Sequence, residues 1–379
     1  VYRHAAKADS VQQRRPNVVL IMMESMSAKF MKHFGQSETL TPFLDSLYTR
    51  SISFRNFYSA GIHTNHGLYA TLYSFPAMMK RNLMKGSVIP RYSGLPTVLK
   101  ENGYYNLFFM THEGQYDNMN AFFRTNGYDE VFSQEDYPVD KVVNSFGVQD
   151  DFLYDYAIPV LNQRAATGQP FFATLLSISN HPPYVIPPFF HPKTSEPEMQ
   201  IVEYADWALR QFFEEARKQP WFDNTIFVLE GDHGKLVGDA ECELPESYNH
   251  IPLMIYSSRI QPEEKTAFGG QVDIQPTILG LLNIDYLQNN FGVDLLKEER
   301  PCMFYTADNM VVGRNDTLLY LYNYETQQEL TYDIGNGKLN AVPMDDSFFP
   351  LKEYSFSMLQ SAEYLVKHGK TVNSSETTF

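Results

Sequence analysis

The segment from Thr225 to Gly234 reads Thr-Ile-Phe-Val-Leu-Glu-Gly-Asp-His-Gly, an apolar run that breaks abruptly into acidic and glycine residues. A short, continuously apolar run rich in β-branched and aromatic residues is typical of a buried strand in a parallel sheet. We expect Gly231 and Gly234 to let the backbone turn sharply after that strand. Asp232 and His233 then lie at its carboxyl end, where ligands bind in open α/β sheets. The motif alone fits equally well a turn whose aspartate caps a helix.

Three further apolar segments end in polar side chains in the same way. Residues 17–23 lead into Glu24, residues 105–110 into Thr111 and His112, and residues 170–179 into Asn180 and His181. Between these segments, helical patterns cover residues 41–47, 95–102, 118–125, 204–219 and 272–282. Because strands and helices alternate, the four strand ends are expected to meet at one edge of one parallel sheet.

The composition narrows the class of protein. The 379 residues carry a formal net charge of −15, which argues against nucleic-acid binding and against a simple polybasic attachment to anionic lipid. Aromatic residues make up 15% of the chain, enough for a large core. The sequence contains no run of 18 apolar residues, so no transmembrane helix is predicted within it. Since the chain begins at Val1 without a methionine, we expect a membrane anchor upstream, with residues 1–15 as the linker from it.

The hydrophobic pattern of the sequence changes at about residue 300. Short alternating segments separated by polar turns predict a small antiparallel sheet, and residues 354–368 predict a closing helix. The expected fold is therefore α/β, with a central, mostly parallel sheet flanked by helices and a small C-terminal antiparallel β subdomain. We expect a catalytic domain over residues 16–299 and this subdomain over residues 300–379.

Thr64 starts a further helical pattern, with Leu68, Leu72 and Phe75 spaced for one face. Together with the carboxylates and imidazoles at the strand ends, its hydroxyl suits Mn²⁺, Mg²⁺ or Zn²⁺. A threonine hydroxyl beside such an ion ionises readily and becomes a nucleophile. A helix N-terminus adds N–H donors for phosphate, so the set suits phosphoryl transfer. Taken singly, Thr64 also fits a plain helix cap, Glu24 a partner of a lysine, and His181 a loop anchor.

Six segments, in order along the chain, resemble the sulfatase branch of the alkaline phosphatase superfamily. Within that branch they are most similar to the lipoteichoic acid synthase and periplasmic-glucan phosphoglycerol transferase group. The resemblance spans about residues 16–285, and its motifs lie at residues 16–24, 41–44, 63–72, 179–184, 230–234 and 272–279.

This resemblance implies one divalent metal ion, preferably Mn²⁺, with Mg²⁺ or Zn²⁺ as alternatives. It implies metal ligands at Glu24, Thr64, Asp232 and His233. It also implies that Thr64 is the nucleophile and carries a phosphoglycerol-type intermediate. His181 would contact the transferred group or its leaving oxygen.

Two departures from the family pattern bear on the substrate. True sulfatases carry a Cys/Ser-x-Pro-x-Arg motif that yields formylglycine, whereas Thr64 is followed by Asn-His-Gly, so sulfate-ester hydrolysis is not expected. The Trp-Asn-Arg element of lipoteichoic acid synthases is replaced by residues 116–120, Tyr-Asp-Asn-Met-Asn. His250 lies where phosphoethanolamine transferases offer a further histidine, although a strand-end histidine is an equal alternative. The candidate substrate-binding residues are His66, His112, Asp117, Asn118 and His250.

The expected function is transfer of a phosphoglycerol-type headgroup from a phospholipid to a glycan or lipid-linked acceptor. A phosphoethanolamine transferase, a phosphodiesterase or a sulfatase-like hydrolase on the same site is the alternative. A catalytically silent glycan- or lipid-binding domain is a further one. The resemblance places such a protein outside the cytoplasm, in the bacterial cell envelope at the outer face of the cytoplasmic membrane.

Overall fold

The computed structural model describes residues 3–4, 15–335 and 337–373. The predicted linker over residues 1–15 therefore lies outside the described residues, apart from the backbone of residues 3–4 and Arg15. The strands are β1 Arg3–His4, β2 Asn17–Met23, β3 Ile52–Tyr58, β4 Tyr105–Phe109, β5 Glu130–Phe132, β6 Val142–Asn144, β7 Gly147–Val148, β8 Phe171–Leu176, β9 Thr225–Gly231, β10 Leu253–Tyr256, β11 Glu263–Gly270, β12 Leu287–Gln288, β13 Met303–Thr306, β14 Met310–Arg314, β15 Leu318–Asn323, β16 Gln328–Gly335 and β17 Lys338–Ala341. The α-helices are α1 Pro42–Tyr48, α2 Thr64–Tyr73, α3 Leu95–Glu101, α4 Met119–Thr125, α5 Asp150–Ala165, α6 Pro197–Ala216, α7 Ile274–Leu281 and α8 Phe349–Lys367.

The central sheet has eight strands in the order β11-β3-β10-β9-β2-β8-β4-β5. Strand β10 runs antiparallel to both of its neighbours, and the other pairings are parallel. The four strands predicted to end in polar residues are β9, β2, β8 and β4, which are consecutive in the sheet. Their carboxyl ends therefore meet at one edge, and the prediction of a mostly parallel sheet is confirmed.

Strand β2 shows why both faces of this sheet are covered. All seven of its residues are buried, and successive side chains point to opposite faces. Val18, Leu20 and Met22 pack in a core with residues of α2, α3, α4 and α7. Val19 and Ile21 pack in a second core with residues of α1, α5 and α6. The sheet is thus the middle layer of three.

The second sheet is antiparallel, in the order β13-β14-β15-β16-β17, and α8 packs against β13 and β14. This confirms the predicted C-terminal antiparallel sheet with its closing helix. The structure adds α5 and the edge strand β11, which the sequence did not indicate. Helix α5 contains Pro159, and β11 begins with the charged residues Glu263 to Lys265, so neither shows a clean apolar period. Within the described residues, no helix is long and apolar enough to cross a membrane.

The N-terminus of α1 is held from another helix. Thr41 precedes α1 at the position where a threonine commonly caps a helix, but its hydroxyl donates to Asp45 and to the backbone oxygen of Phe30 instead. The buried carboxylate of Asp206, on α6, accepts the backbone N–H groups of Phe43 and Leu44 at 2.9 Å each. A tertiary contact therefore takes the role that sequence proximity suggested for a threonine.

Candidate active site

A cleft of about 380 Å³ opens at the edge of the sheet where β2 and β9 end. Since β2, β8 and β9 are parallel neighbours, the loops that follow them converge here. The lining residues used below are Glu24, His63, Thr64, Asn65, Tyr116, Asp117, His181, Tyr184, Glu198, His233 and Lys235.

Glu24, Asp232 and His233 form a cluster at the base of the cleft. Their ligand atoms lie within 4.8 Å of one another. The Nε2 atom of His233 is 3.5 Å from Oδ2 of Asp232 and 3.9 Å from Oε1 of Glu24. Because Nδ1 of His233 lies 2.7 Å from the backbone oxygen of Gly234, it is the nitrogen that carries the proton in the neutral ring. The Nε2 lone pair then faces two carboxylates, an arrangement of acceptors that suits a shared cation.

The electrostatics of the cluster also suit a cation. Burial and the neighbouring Asp232 carboxylate raise the pKa of Glu24 well above its ordinary value of 4.5. The Oδ1 atom of Asp232 accepts the backbone N–H groups of Ser25 and His233, whereas its buried Oδ2 has no hydrogen-bond partner among the described residues. A divalent cation would neutralise the two carboxylates and occupy the unpaired oxygen. The residues present therefore fit the metal site that the resemblance implied.

Thr64 is the first residue of α2 and lies beside this cluster. Its Oγ1 atom is 3.4 Å from Oε2 of Glu24. The backbone oxygen of His63, just before the helix, accepts the backbone N–H groups of His66 and Gly67. The amides of Thr64 and Asn65 have no hydrogen-bond partner within the described ranges, as expected of a first helical turn. The hydroxyl is thus next to the candidate metal ligands and next to free N–H donors for an anion.

His181 also lies in the cleft, on the loop after β8. Its Nδ1 is 2.6 Å from the backbone oxygen of Pro182, and its ring centroid is 4.0 Å from that of Phe146. Burial lowers the pKa of His181, so the neutral ring with its proton on Nδ1 is favoured. The Nε2 atom is left to contact a ligand.

Asp117 is the predicted substrate-binding residue that the structure does place in the cleft. Its carboxylate accepts from Nδ2 of Asn65 at 3.3 Å and pairs with Nζ of Lys85 at 2.7 Å. Asp117 and Asn118 have φ angles of 51° and 63°, in the left-handed region that non-glycine residues seldom occupy. The Asn118 side chain donates to the backbone oxygen of Met84 and does not line the cleft.

His66 does not line the cleft, although we predicted a substrate contact. It lies two residues after Thr64 on α2, about 200° further around the helix. Its ring is buried, 6.0 Å from the ring of Tyr69. His63 occupies the cleft instead, and its Nε2 is 2.6 Å from a carboxylate oxygen of Asp308 in the C-terminal subdomain.

His112 and His250 are likewise outside the cleft. His112 is buried and packs against the ring of Tyr116, with Nδ1 bonded to the backbone oxygen of Glu113. The Nε2 atom of His250 is 2.8 Å from the backbone oxygen of Arg55, and its ring stacks on that of Tyr58. The alternative interpretation of His250 as a strand-end histidine therefore describes its position.

Gly231 and Gly234 are needed for a structural reason other than the one we predicted. Neither Gly231 nor Gly234 has a positive φ angle. A Cβ atom on Gly231 would lie 2.4 Å from the backbone oxygen of Met26, and one on Gly234 would lie 2.0 Å from that of Ser247. The glycines allow close backbone packing around Asp232 and His233 rather than a sharp turn. Glu230 is buried away from the cleft and accepts a hydrogen bond from Thr71 at 2.6 Å.

The sequence analysis assigned no role to two cleft residues, Lys235 and Tyr184, or to their buried neighbour Asn180. Nζ of Lys235 donates to Oδ1 of Asn180 at 2.6 Å and to the hydroxyl of Tyr184 at 3.0 Å. Nδ2 of Asn180 in turn donates to the backbone oxygens of Glu24 and Ser25. Burial lowers the pKa of Lys235 to about 8. The available signal was proximity in sequence, since these residues flank the histidines of two recognised motifs.

Comparison with known proteins identifies the family of the chain. The family model described as Sulfatase matches residues 16–284. Lipoteichoic acid synthase 2 of Bacillus subtilis is 24% identical over 315 residues, covering 75% of this chain and 47% of that protein. Lipoteichoic acid synthase 1 of the same organism is 25% identical over 350 residues, covering 85% and 53%. The chain thus spans about half the length of these curated relatives.

Two solved structures share the fold. A protein of the alkaline phosphatase superfamily from Vibrio parahaemolyticus superposes with a TM-score of 0.86 at 27% identity, over 96% of this chain and 90% of that one. A lipoteichoic acid synthase from Listeria monocytogenes gives a TM-score of 0.79 at 21% identity, over 94% and 93%. The second likeness concerns the fold alone. Because the family model covers the central sheet and all four candidate metal ligands, the chain belongs to the sulfatase family, within the alkaline phosphatase superfamily.

Proposed function

We propose that the cleft is the active centre of a metal-dependent phosphotransferase that acts on phosphodiesters, with Thr64 as the nucleophile. The observation that carries this proposal is the position of the Thr64 hydroxyl, 3.4 Å from Glu24 at the start of α2. This position brings a nucleophile, a candidate cation site and N–H donors for an anion together in one cleft.

The protein groups have distinct roles in this proposal. Glu24, Asp232, His233 and Thr64 would hold one divalent cation, with Mn²⁺ preferred over Mg²⁺ or Zn²⁺. When bound, the cation would favour ionisation of the Thr64 hydroxyl and offset charge on the phosphoryl group. The Thr64 oxygen forms a bond to phosphorus while the bond to the leaving alcohol breaks. The leaving oxygen takes up one proton, matching the one lost from Thr64, and Nε2 of His181 contacts that oxygen.

The second half of the reaction reverses the first. An acceptor hydroxyl forms a bond to phosphorus, the bond to the Thr64 oxygen breaks, and the acceptor's proton balances the one that Thr64 regains. The acceptor is a glycan or lipid-linked hydroxyl in a transferase and water in a phosphodiesterase. The similarity to two lipoteichoic acid synthases, together with the motifs shared with phosphoglycerol transferases, supports a transferase, and we propose that it moves a phosphoglycerol-type group from a phospholipid. On the same grounds we propose that the protein works in the cell envelope, outside the cytoplasm.

The sulfate-ester alternative has less support, because a threonine cannot be converted to formylglycine. The phosphoethanolamine alternative uses the same site and differs in the donor headgroup, and His250, which would have favoured it, has its Nε2 bonded to the backbone oxygen of Arg55 outside the cleft. Asp117 remains a candidate substrate contact, since its carboxylate lies among the cleft residues.

Labelled phosphatidylglycerol and phosphatidylethanolamine, each incubated with the Mn²⁺-loaded protein, test the proposal. Mass spectrometry of the peptide that contains Thr64 should show a phosphoglycerol adduct from the first lipid. Thr64→Ala should abolish both the adduct and turnover of phosphodiesters while leaving the melting temperature of the metal-free protein close to that of the wild type. Full turnover by Thr64→Ala would refute the nucleophile, and an adduct only from phosphatidylethanolamine would refute the headgroup.

A further inference from the structure

Lys235 is a partly buried cation that has no salt bridge among the described residues, although the nearby carboxylates of Glu198 and Glu24 act on it electrostatically without a bonded contact. The surface lysines Lys29, Lys85 and Lys100 lie 3.0, 2.7 and 2.8 Å from carboxylate oxygens. By contrast, Lys235 forms no such ion pair with any residue that the structure describes. Its two hydrogen-bond partners, Asn180 and Tyr184, are neutral. The positive charge of its ammonium group is therefore not balanced by a bonded anion.

The surroundings of Lys235 hold this charge in place. The ammonium nitrogen is 4.6 Å from the ring centroid of Tyr184 and 5.4 Å from that of Phe30. Aromatic faces and neutral acceptors orient a cation but do not replace a counter-charge. An ammonium group has three N–H donors, and the two bonds above leave one for a ligand in the cleft. Lys235 itself lines that cleft.

The connection to the candidate metal site is short. Asn180 accepts from Lys235 through its Oδ1 and donates through its Nδ2 to the backbone oxygens of Glu24 and Ser25. One amide side chain thus fixes the distance between the ammonium group and the segment that carries a metal ligand. An anion bound near Thr64 has the cation site on one side and Lys235 as a further source of positive charge.

We propose that Lys235 binds an anionic oxygen of the substrate phosphate, with Asn180 and Tyr184 as its positioning residues. This inference rests on the proposed function, because it assigns the anion to the phosphodiester that Thr64 attacks. It adds a phosphate contact that the family motifs in this sequence do not include.

The test measures binding rather than turnover. The Mn²⁺-loaded protein is titrated calorimetrically with sn-glycerol 1-phosphate, and the Mn²⁺ affinity of the metal-free protein is measured separately. Lys235→Met should weaken glycerol phosphate binding about tenfold to hundredfold, the usual effect of losing a charged hydrogen bond, and change Mn²⁺ affinity less than about threefold. Lys235→Arg should restore most of the binding. The matched control is Lys100→Met, which removes an exposed charge and should bind as the wild type does.

Several outcomes would overturn the inference. Unchanged glycerol phosphate binding by Lys235→Met would do so, and so would an equal loss of Mn²⁺ and glycerol phosphate binding, which would indicate a structural role. If Lys235→Met does not fold, Lys235→Gln and Lys235→Arg take its place, and equal binding by these two variants would refute a requirement for charge. Because no turnover is needed, these results remain distinct from a failure of the Thr64 nucleophile in the adduct experiment.

Discussion

The side-chain nitrogen of Gln271 lies 2.7 Å from the backbone oxygen of Asp232. The same amide donates to the backbone oxygen of Gly231, and its oxygen accepts the backbone N–H of Ala60 at 2.9 Å. Gln271 is buried, and so are Gly231, Asp232 and Ala60, so these three backbone groups have no access to water as an alternative partner. The side chain therefore ties the metal-ligand loop to the segment that leads into Thr64.

Gln271→Met should separate these two segments while keeping the volume of the side chain. We expect the free energy of unfolding to fall by about 1–3 kcal/mol, because buried backbone groups lose their partners. The catalytic rate should fall more than substrate affinity, since Thr64 and Asp232 are no longer held together. Urea denaturation and steady-state kinetics measure the two effects. Gln328→Met, at an exposed position on β16, is the control, and the same kinetics in both variants would contradict the role of Gln271.

Gly67 sets a second contact between α2 and the same loop. A Cβ atom at this position would lie 2.3 Å from the backbone oxygen of Asp232. We predict that Gly67→Ala moves α2 away from β9 and weakens Mn²⁺ binding by about tenfold or more, because small displacements of ligands are costly. Gly335→Ala, where the nearest atom to a Cβ is 3.5 Å away, should leave Mn²⁺ binding unchanged. Wild-type metal affinity in Gly67→Ala would show that the helix position is not critical.

The sequence predicts those parts of the site that lie at the ends of regular elements. Thr64 begins a helix and Asp232 follows a strand, so local patterns locate both. Two loops fold together to bring Lys235 into contact with Tyr184 and Asn180. Hydrophobic periodicity in the sequence does not indicate such contacts between loops. His66 does not line the cleft, because closeness in sequence to Thr64 does not mean the same face of a helix.

The fold shows the same difference between elements that local sequence patterns predict and contacts that they do not. The buried strand β9 has an unbroken apolar run, because helices cover both of its faces. The edge strand β11 carries charges that its position tolerates, and these conceal its strand character. Asp206 caps α1 from 163 residues away, a contact that no search of neighbouring residues would find.

Asp232→Asn should distinguish the repulsion between the two carboxylates in the metal-free protein from the stabilisation that a bound metal ion provides. The asparagine oxygen can still accept from Ser25 and His233, while the charge beside Glu24 is removed. In the metal-free state we expect the variant to be more stable than the wild type, on the order of 1 kcal/mol, because two buried carboxylates no longer repel. Added Mn²⁺ should raise the melting temperature of the wild type and not that of the variant. Equal Mn²⁺ stabilisation of both proteins would exclude Asp232 as a ligand.

Asp206, which caps α1, is expected to contribute a pH dependence to the free energy of unfolding. Burial raises the pKa of Asp206 from its ordinary value of 3.8 to about 7, even though Phe43 and Leu44 donate to it. Between these two pH values the folded protein binds more protons at this site than the unfolded chain. The contribution of Asp206 to the free energy of unfolding therefore decreases as pH rises from about 4 to about 7 and is level above that.

Asp206→Asn removes this titration and keeps one acceptor for the helix N-terminus. Other carboxylates titrate in both proteins, so the informative quantity is the difference in free energy of unfolding between wild type and variant. We expect the wild type to lose stability relative to the variant as pH rises from 4 to 7, by on the order of 1–3 kcal/mol. Urea denaturation at half-unit pH steps, with chelator present to exclude metal binding, measures it. A difference that stays constant from pH 4 to 8 would show that Asp206 is ionised throughout and that its two N–H donors outweigh the cost of burying the charge.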